Sequence, residues 1–62
     1  MDETVFSILL RRLEEKKSSI ELFLAQGGAK SYEDYVRMVG EYSSTTGMID
    51  DVKDLEKRFL ED

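Results

Sequence analysis

The sequence contains no cysteine, no histidine and no proline. Without cysteine there is neither a disulfide nor a thiolate metal site. Without histidine the common zinc and non-haem iron ligand sets are also missing, and so is the usual general base of a nucleophilic enzyme. Because proline is absent, nothing in the chain forces a helix to break. We therefore expect no metal, no cofactor and no catalytic residue.

A surplus of positive charge is also lacking. The net charge is −5, so the chain cannot build the basic face that a nucleic acid or an anionic membrane surface requires. The longest apolar cluster, residues 5–10, is too short to span a bilayer. Asp2 and Glu3 precede it where a signal peptide would carry basic residues. These features predict a cytoplasmic protein that binds no nucleic acid, membrane or small-molecule substrate.

The chain is short, and its 62 residues allow one small domain spanning residues 1–62. A core of this size rarely supplies more than about 3–5 kcal/mol of stability. Disulfides and structural metals are excluded above, so association with another protein is the remaining way to add stability. Hydrophobic residues make up 40% of the chain and charged residues 37%, a balance that suits long amphipathic helices.

Two apolar-periodic segments flank a pair of glycines. Asp2 or Thr4 can cap the first helix, and Ser31 can cap the second. Gly27 or Gly28 can adopt the left-handed conformation that ends a helix. The sequence thus predicts an all-α protein, an antiparallel two-helix hairpin with helices at about residues 3–26 and 31–61, which associates into a helical bundle. The seam between the helices is predicted to contain Phe6, Leu10, Leu13, Ile20, Leu24, Tyr35, Val39, Tyr42, Ile49 and Val52.

Lys17 is the polar residue in the first helix's seam, where it could cover the seam with its methylenes or meet Glu41 on the returning helix. The middle of the second helix is poor in good helix formers, since residues 40–47 include two glycines and four hydroxyl residues. One interpretation is a continuous helix whose small residues allow the first helix, or a partner chain, to approach closely. The other is a break near Thr45–Gly47 that starts a third helix. We favour the continuous helix, because the apolar spacing keeps its phase.

Further apolar residues widen the helices beyond what one partner helix can cover. We expect them to contact another chain, together with a tyrosine of the type common at interfaces. This predicted interface consists of Val5, Ile8, Leu9, Leu22, Phe23, Tyr32, Phe59 and Leu60.

Three small groups of residues could carry chemistry, and each has a simpler interpretation. Ser43 and Ser44 are possible nucleophiles, but they lack a histidine base and are better explained by packing. The acidic cluster Asp50, Asp51 and Asp54 could hold a hard cation, but a solvated acidic face accounts for it. The paired glycines suggest a phosphate loop, but the preceding strand and the Lys-Ser/Thr signature are missing, so a helix C-cap is favoured.

The segments 27–35, Gly40 and 49–58 together resemble a group of short helical-hairpin proteins encoded among the structural genes of tailed bacteriophages. The shared pattern is a leading helix, a small-residue turn, an aromatic and acidic start of the return helix, and a charged tail. The resemblance implies a virion-associated or assembly role, located in the virion or host cytoplasm, and no enzyme activity.

Taken together, the sequence predicts a non-enzymatic structural or interaction protein that forms a homo-oligomer or docks on a larger assembly. The alternative is a small acidic regulator that binds a host protein, because residues 30–62 contain nine acidic and five basic residues.

Overall fold

The computed structural model describes residues 4–61, which form two packed helices and contain no strand. Helix α1 spans Val5–Ala25 and helix α2 spans Tyr32–Glu61. The α1·α2 contacts make the chain an antiparallel hairpin, which confirms the predicted fold class. The helix bounds agree with the prediction to within one residue at the ends that can be compared. The predicted start at residue 3 and the possible cap Asp2 lie outside the described residues.

Side-chain hydroxyls start both helices. The Thr4 Oγ1 accepts a hydrogen bond from the Ser7 amide at 3.1 Å, and the Ser7 Oγ accepts one from the Thr4 amide at 3.0 Å. This reciprocal pair satisfies two backbone donors at the start of α1. At the start of α2, the Asp34 amide donates to the Ser31 Oγ at 3.1 Å. The predicted cap Ser31 is therefore confirmed, and of the two candidates for α1 the structure shows Thr4 in this role.

The two glycines have separate tasks in the turn. Gly27 has φ of 72°, the left-handed conformation that glycine adopts without strain. The Gly28 amide donates to the Phe23 carbonyl at 2.8 Å, and the Gly27 amide donates to the Leu24 carbonyl at 3.1 Å. These two bonds form a Schellman motif. A Cβ on Gly28 would lie 2.5 Å from the Phe23 ring, so this second glycine makes room for that ring.

The seam of α1 is where the sequence places it. Ile20 is 5% exposed, and the other α1 members are half-buried: Phe6, Leu10, Leu13, Lys17 and Leu24. At the open end of the hairpin, the rings of Phe6 and Phe59 lie 5.5 Å apart. The heptad-like spacing of α1 therefore identifies its buried face.

The seam of α2 differs from the prediction in its first half. Met38 and Thr45 are on the buried face, whereas Tyr35 is 51% exposed and Val39 is 38% exposed. The seam residues Tyr42, Ile49 and Val52 place Met38 on the same face of α2. Val39 is one position later, so it faces outwards. Tyr35 is in phase, but α1 ends before it can cover that ring.

Thr45 is the most buried side chain of the described residues, at 1% exposure. Its Oγ1 donates to the Glu41 carbonyl at 2.7 Å, which satisfies the hydroxyl within its own helix. A small polar residue is therefore tolerated at the centre of the seam. Thr45 was not predicted to lie in the seam, because the seam was assigned from the spacing of large apolar residues.

Helix α2 is continuous through residues 43–47, so the alternative with a third helix is wrong. Thr45 and Ile49, on either side of Gly47, are both buried against α1, and this packing holds the weak stretch helical. A Cβ on Gly40 or Gly47 would meet no atom within 4 Å. The two glycines thus do not serve a close approach of α1, so that part of the small-residue interpretation is wrong, whereas the approach of a partner chain stays a prediction.

Candidate interaction surface

The hairpin leaves large apolar side chains exposed on both helices. All eight residues of the predicted interface are more than a third exposed in the single chain. Tyr32 and Leu60 at the two ends of α2 are the most exposed, at 79% and 70%. Their exposure makes them accessible to a partner, but a single chain does not show whether a partner covers them. The interface therefore stays a prediction.

The exposed apolar residues are not evenly distributed around the hairpin. A right-handed helix that runs away from the viewer turns clockwise, and the returning helix turns anticlockwise. In both helices, the residues one position before a seam residue therefore lie on the same side of the hairpin. This side, which we call the apolar side, carries Val5, Leu9, Phe23, Met48 and Leu55, all exposed.

The opposite side, one position after each seam residue, is polar. It carries mostly charged and hydroxyl residues, and within the described part of the chain its large exposed apolar residues are Val36, Val39 and Leu60. The positions on this polar side are Ser7, Arg11, Glu14, Ser18, Glu21, Ala25, Val36, Val39, Ser43, Thr46, Asp50, Lys53, Lys57 and Leu60. Among the described residues, five large exposed apolar side chains thus lie on the apolar side and three on the polar side. Sequence reasoning missed this difference because it depends on how the two helices are placed together.

Phe59 and Phe23 have partners within the chain although both are exposed. Phe59 is 68% exposed, yet its ring contacts Phe6 across the open end. Phe23 packs its ring over Gly28 at the turn. These two phenylalanines of the predicted interface therefore also contribute to the hairpin. Ile8 and Leu22 lie on the outer face of α1, away from α2.

A polar cluster crosses the seam near the middle of the hairpin. The Tyr42 hydroxyl donates to the Glu21 carboxylate at 2.9 Å, and the Lys17 ammonium lies 6.0 Å from the centre of the Tyr42 ring. Lys17 thus turns towards an aromatic face rather than towards Glu41. The hydrogen bond to the Glu21 carboxylate raises the pKa of Tyr42 above 10.0, with smaller contributions from desolvation and from the negative charge of Glu21.

This raised pKa predicts a loss of stability at alkaline pH. The contribution is fully present below pH 10.0, the ordinary pKa of tyrosine, and is lost as the pH rises through the higher folded-state pKa. In a Tyr32→Phe, Tyr35→Phe background only Tyr42 contributes to tyrosinate absorbance. We expect Glu21→Gln in that background to lower the pH at which this absorbance appears. Equal titration midpoints with and without the Glu21→Gln substitution would contradict the interaction.

The acidic cluster and the two serines considered in the sequence analysis are not arranged as a metal site or a catalytic site within the described residues. Within residues 4–61, no group of three or more acidic side chains lies close enough together to hold a metal ion. Asp54 instead pairs with Arg58, with Nε to Oδ2 at 3.2 Å. The Thr46 Oγ1 donates to the Ser43 carbonyl at 2.9 Å, and Ser43 and Ser44 are exposed. The hydroxyl-rich stretch therefore shows helical packing and no poised nucleophile.

A shallow depression lies on the surface of the described residues, and a single helix lines it. Its lining residues, from Arg11 to Ser19, all belong to α1. No second element encloses this depression, so it does not have the concave form of a small-molecule site. Nor does either described helix combine the length and the apolar character needed to cross a bilayer. The exposed apolar residues remain the surface feature that most needs a physical explanation.

Comparisons with known proteins gave no support for a family. No family model matches the sequence, and neither the curated proteins nor the solved structures gave a match. The resemblance to small phage structural proteins therefore rests on the residues alone.

Proposed function

We propose that this protein is a non-enzymatic interaction protein whose hairpin self-associates or docks on a larger protein assembly. The observation that carries the proposal is the excess of exposed surface. The chain exposes 5053 Å², whereas a compact monomer of 7.2 kDa exposes about 4,100 Å². Much of the excess is apolar, since thirteen large hydrophobic side chains are exposed among the residues that the structure describes. Surface of this kind typically marks a protein contact.

The shape of the molecule supports the same conclusion. Its extents are 47 × 20 × 12 Å, so it is one helix thick in its smallest dimension. Domains normally bury their apolar faces between two layers of secondary structure. Here the second layer is not supplied by the described residues. A partner protein would supply it and would add the stability that the small seam lacks.

The resemblance noted in the sequence suggests the setting of this role. A short helical hairpin with a charged tail would suit a bacteriophage virion component or an assembly factor. In that setting the protein would occur in the virion or in the host cytoplasm. The prediction of this location rests on the sequence pattern.

Sedimentation equilibrium over a dilution series from millimolar to micromolar concentration tests the self-association. We expect the average mass to fall towards 7.2 kDa only on dilution, with loss of helical circular dichroism at the dilute end. The proposal would be contradicted if the protein were a fully helical monomer at every concentration and were also not found bound to any larger protein assembly from its source.

A second candidate is a small acidic regulator of a host protein. The residues that favour it are Asp50, Asp51 and Asp54, which are all exposed on α2 in the more acidic half of the chain. Such a protein would bind a basic site, so its affinity would fall steeply with salt. Pull-downs at low and high salt distinguish the two functions. A partner bound through an apolar interface stays bound at high salt, whereas a partner bound through the acidic residues is released.

A further inference from the structure

We infer that the apolar side is covered by a second copy of this chain, in a four-helix bundle whose two-fold axis runs parallel to the helices. This inference rests on the proposed function and names its partner and its contact face. It uses two properties of the described residues, namely the amount of surface left exposed and the order of residues along the apolar side.

The amount of exposed surface fits one subunit of a dimer. The excess over a compact monomer is about 900 Å², and a stable interface of standard size buries about 800 Å² on each partner. Stacking two hairpins, each 12 Å thick, also gives the two helical layers of a four-helix bundle. The surplus is thus of the size that one second copy would remove from water.

The order of apolar residues along this side selects the orientation. At the open end it carries Val5, Leu9 and Leu55 and one charged residue, Arg58. Near the turn it carries Phe23 beside the exposed charges Arg37 and Glu41. An axis parallel to the helices places open end on open end, so that α1 faces α2 of the second copy. An axis perpendicular to them would place each apolar end on the charged end, which is less favourable.

Charges in the middle of the apolar side fit the same orientation. The contacts of Phe6 with Phe59 and of Glu21 with Tyr42 fix a register in which Arg12 is level with Asp51. Both residues are exposed and lie in the row before the seam. With the axis parallel to the helices, Arg12 of each copy faces Asp51 of the other, and the two-fold symmetry repeats this contact.

The first test removes apolar surface without adding charge. We expect Leu9→Gln and Leu55→Gln each to weaken dimerisation about tenfold in sedimentation equilibrium, because each removes a side chain from an apolar contact. Leu22→Gln is the matched control, since Leu22 is 58% exposed but lies on the outer face of α1. It should leave the dimer constant unchanged, and circular dichroism checks that all three variants remain helical.

The second test identifies the occupant and its orientation by charge reversal. Arg12→Glu places two acidic residues opposite each other in its homodimer, and Asp51→Arg places two basic residues opposite each other. We expect each variant alone to dimerise about tenfold more weakly than the wild type, as measured by sedimentation equilibrium. A mixture of the two should form heterodimers selectively. In the heterodimer, position 12 of each copy faces a residue of opposite charge at position 51 of the other copy, whereas each homodimer has two contacts between like charges. Native mass spectrometry of the mixture measures this selectivity.

The outcomes separate this inference from the proposed function. If the wild type dimerises but Leu9→Gln and Leu55→Gln leave it unchanged, the contact face is wrong while self-association stands. If the charge-reversed mixture shows no preference for heterodimers, the parallel axis is wrong. If the wild type is monomeric at millimolar concentration, the second copy is excluded as the occupant, and docking on a different protein is the part of the proposed function that remains.

Discussion

Replacing Ile49 with alanine is expected to unfold most of the hairpin. Ile49 is 6% exposed and lies at the centre of the seam. Truncating a buried isoleucine to alanine typically costs about 2–5 kcal/mol, which is comparable to the whole stability that a core of this size supplies. We expect a large loss of helical circular dichroism relative to the wild type, measured at a protein concentration at which the wild type is associated and helical. Ile20→Ala should behave in the same way, because Ile20, at 5% exposure, is the other buried apolar residue within residues 4–61.

Two further variants make this prediction specific. Ile49→Val removes one methyl group and should lower the free energy of unfolding by about 1 kcal/mol. Leu22→Ala removes a comparable amount of carbon from a side chain that is 58% exposed, so its effect on denaturant midpoints should be small. If Ile49→Ala and Leu22→Ala had equal effects, the seam would not be the structural core of this protein.

Replacing both Gly40 and Gly47 with alanine is expected to stabilise the protein. Each glycine lies in the interior of α2, where alanine is favoured by about 1 kcal/mol. A Cβ at either position meets no atom within 4 Å, so nothing in the hairpin offsets this gain. The double variant should gain about 2 kcal/mol, which corresponds to a rise in Tm of about 10 °C for a domain of this size.

Gly27→Ala is the matched control, and it should have the opposite sign. Gly27 also has open space around its Cα, but its φ is 72°. A non-glycine residue in that conformation costs roughly 1–2 kcal/mol. Thermal unfolding of the three variants at one protein concentration gives the comparison. If Gly40→Ala or Gly47→Ala were destabilising, that glycine would be needed for a contact outside the single hairpin, such as the close approach of a partner chain.

The sequence determined much of this architecture because local signals agree with one another. The heptad-like spacing from Phe6 to Leu24 identifies the buried face of α1. The glycine pair and Ser31 mark where one helix ends and the next begins. These signals act within a few residues, so a single sequence reveals them.

The phase of the second seam was harder to predict. The prediction placed Val39 in the seam, whereas its apolar neighbour Met38 lies there. A spacing of either three or four residues before Tyr42 fits a helix, so the pattern could select the wrong neighbour. Thr45 was harder still, because its hydroxyl is satisfied by a bond to the Glu41 carbonyl that only a formed helix provides. Residues 43–47 have weak intrinsic helix propensity, but packing against α1 keeps them helical.

The sequence by itself determined that the chain is helical, that it turns at Gly27 and Gly28, and that it has more apolar residues than one small seam can bury. Only the tertiary structure decided which of those residues lie together. Val5 and Leu9 share a side with Leu55 because two antiparallel helices turn in opposite senses when seen from one end. That relation joins residues far apart in the chain, so no local pattern contains it.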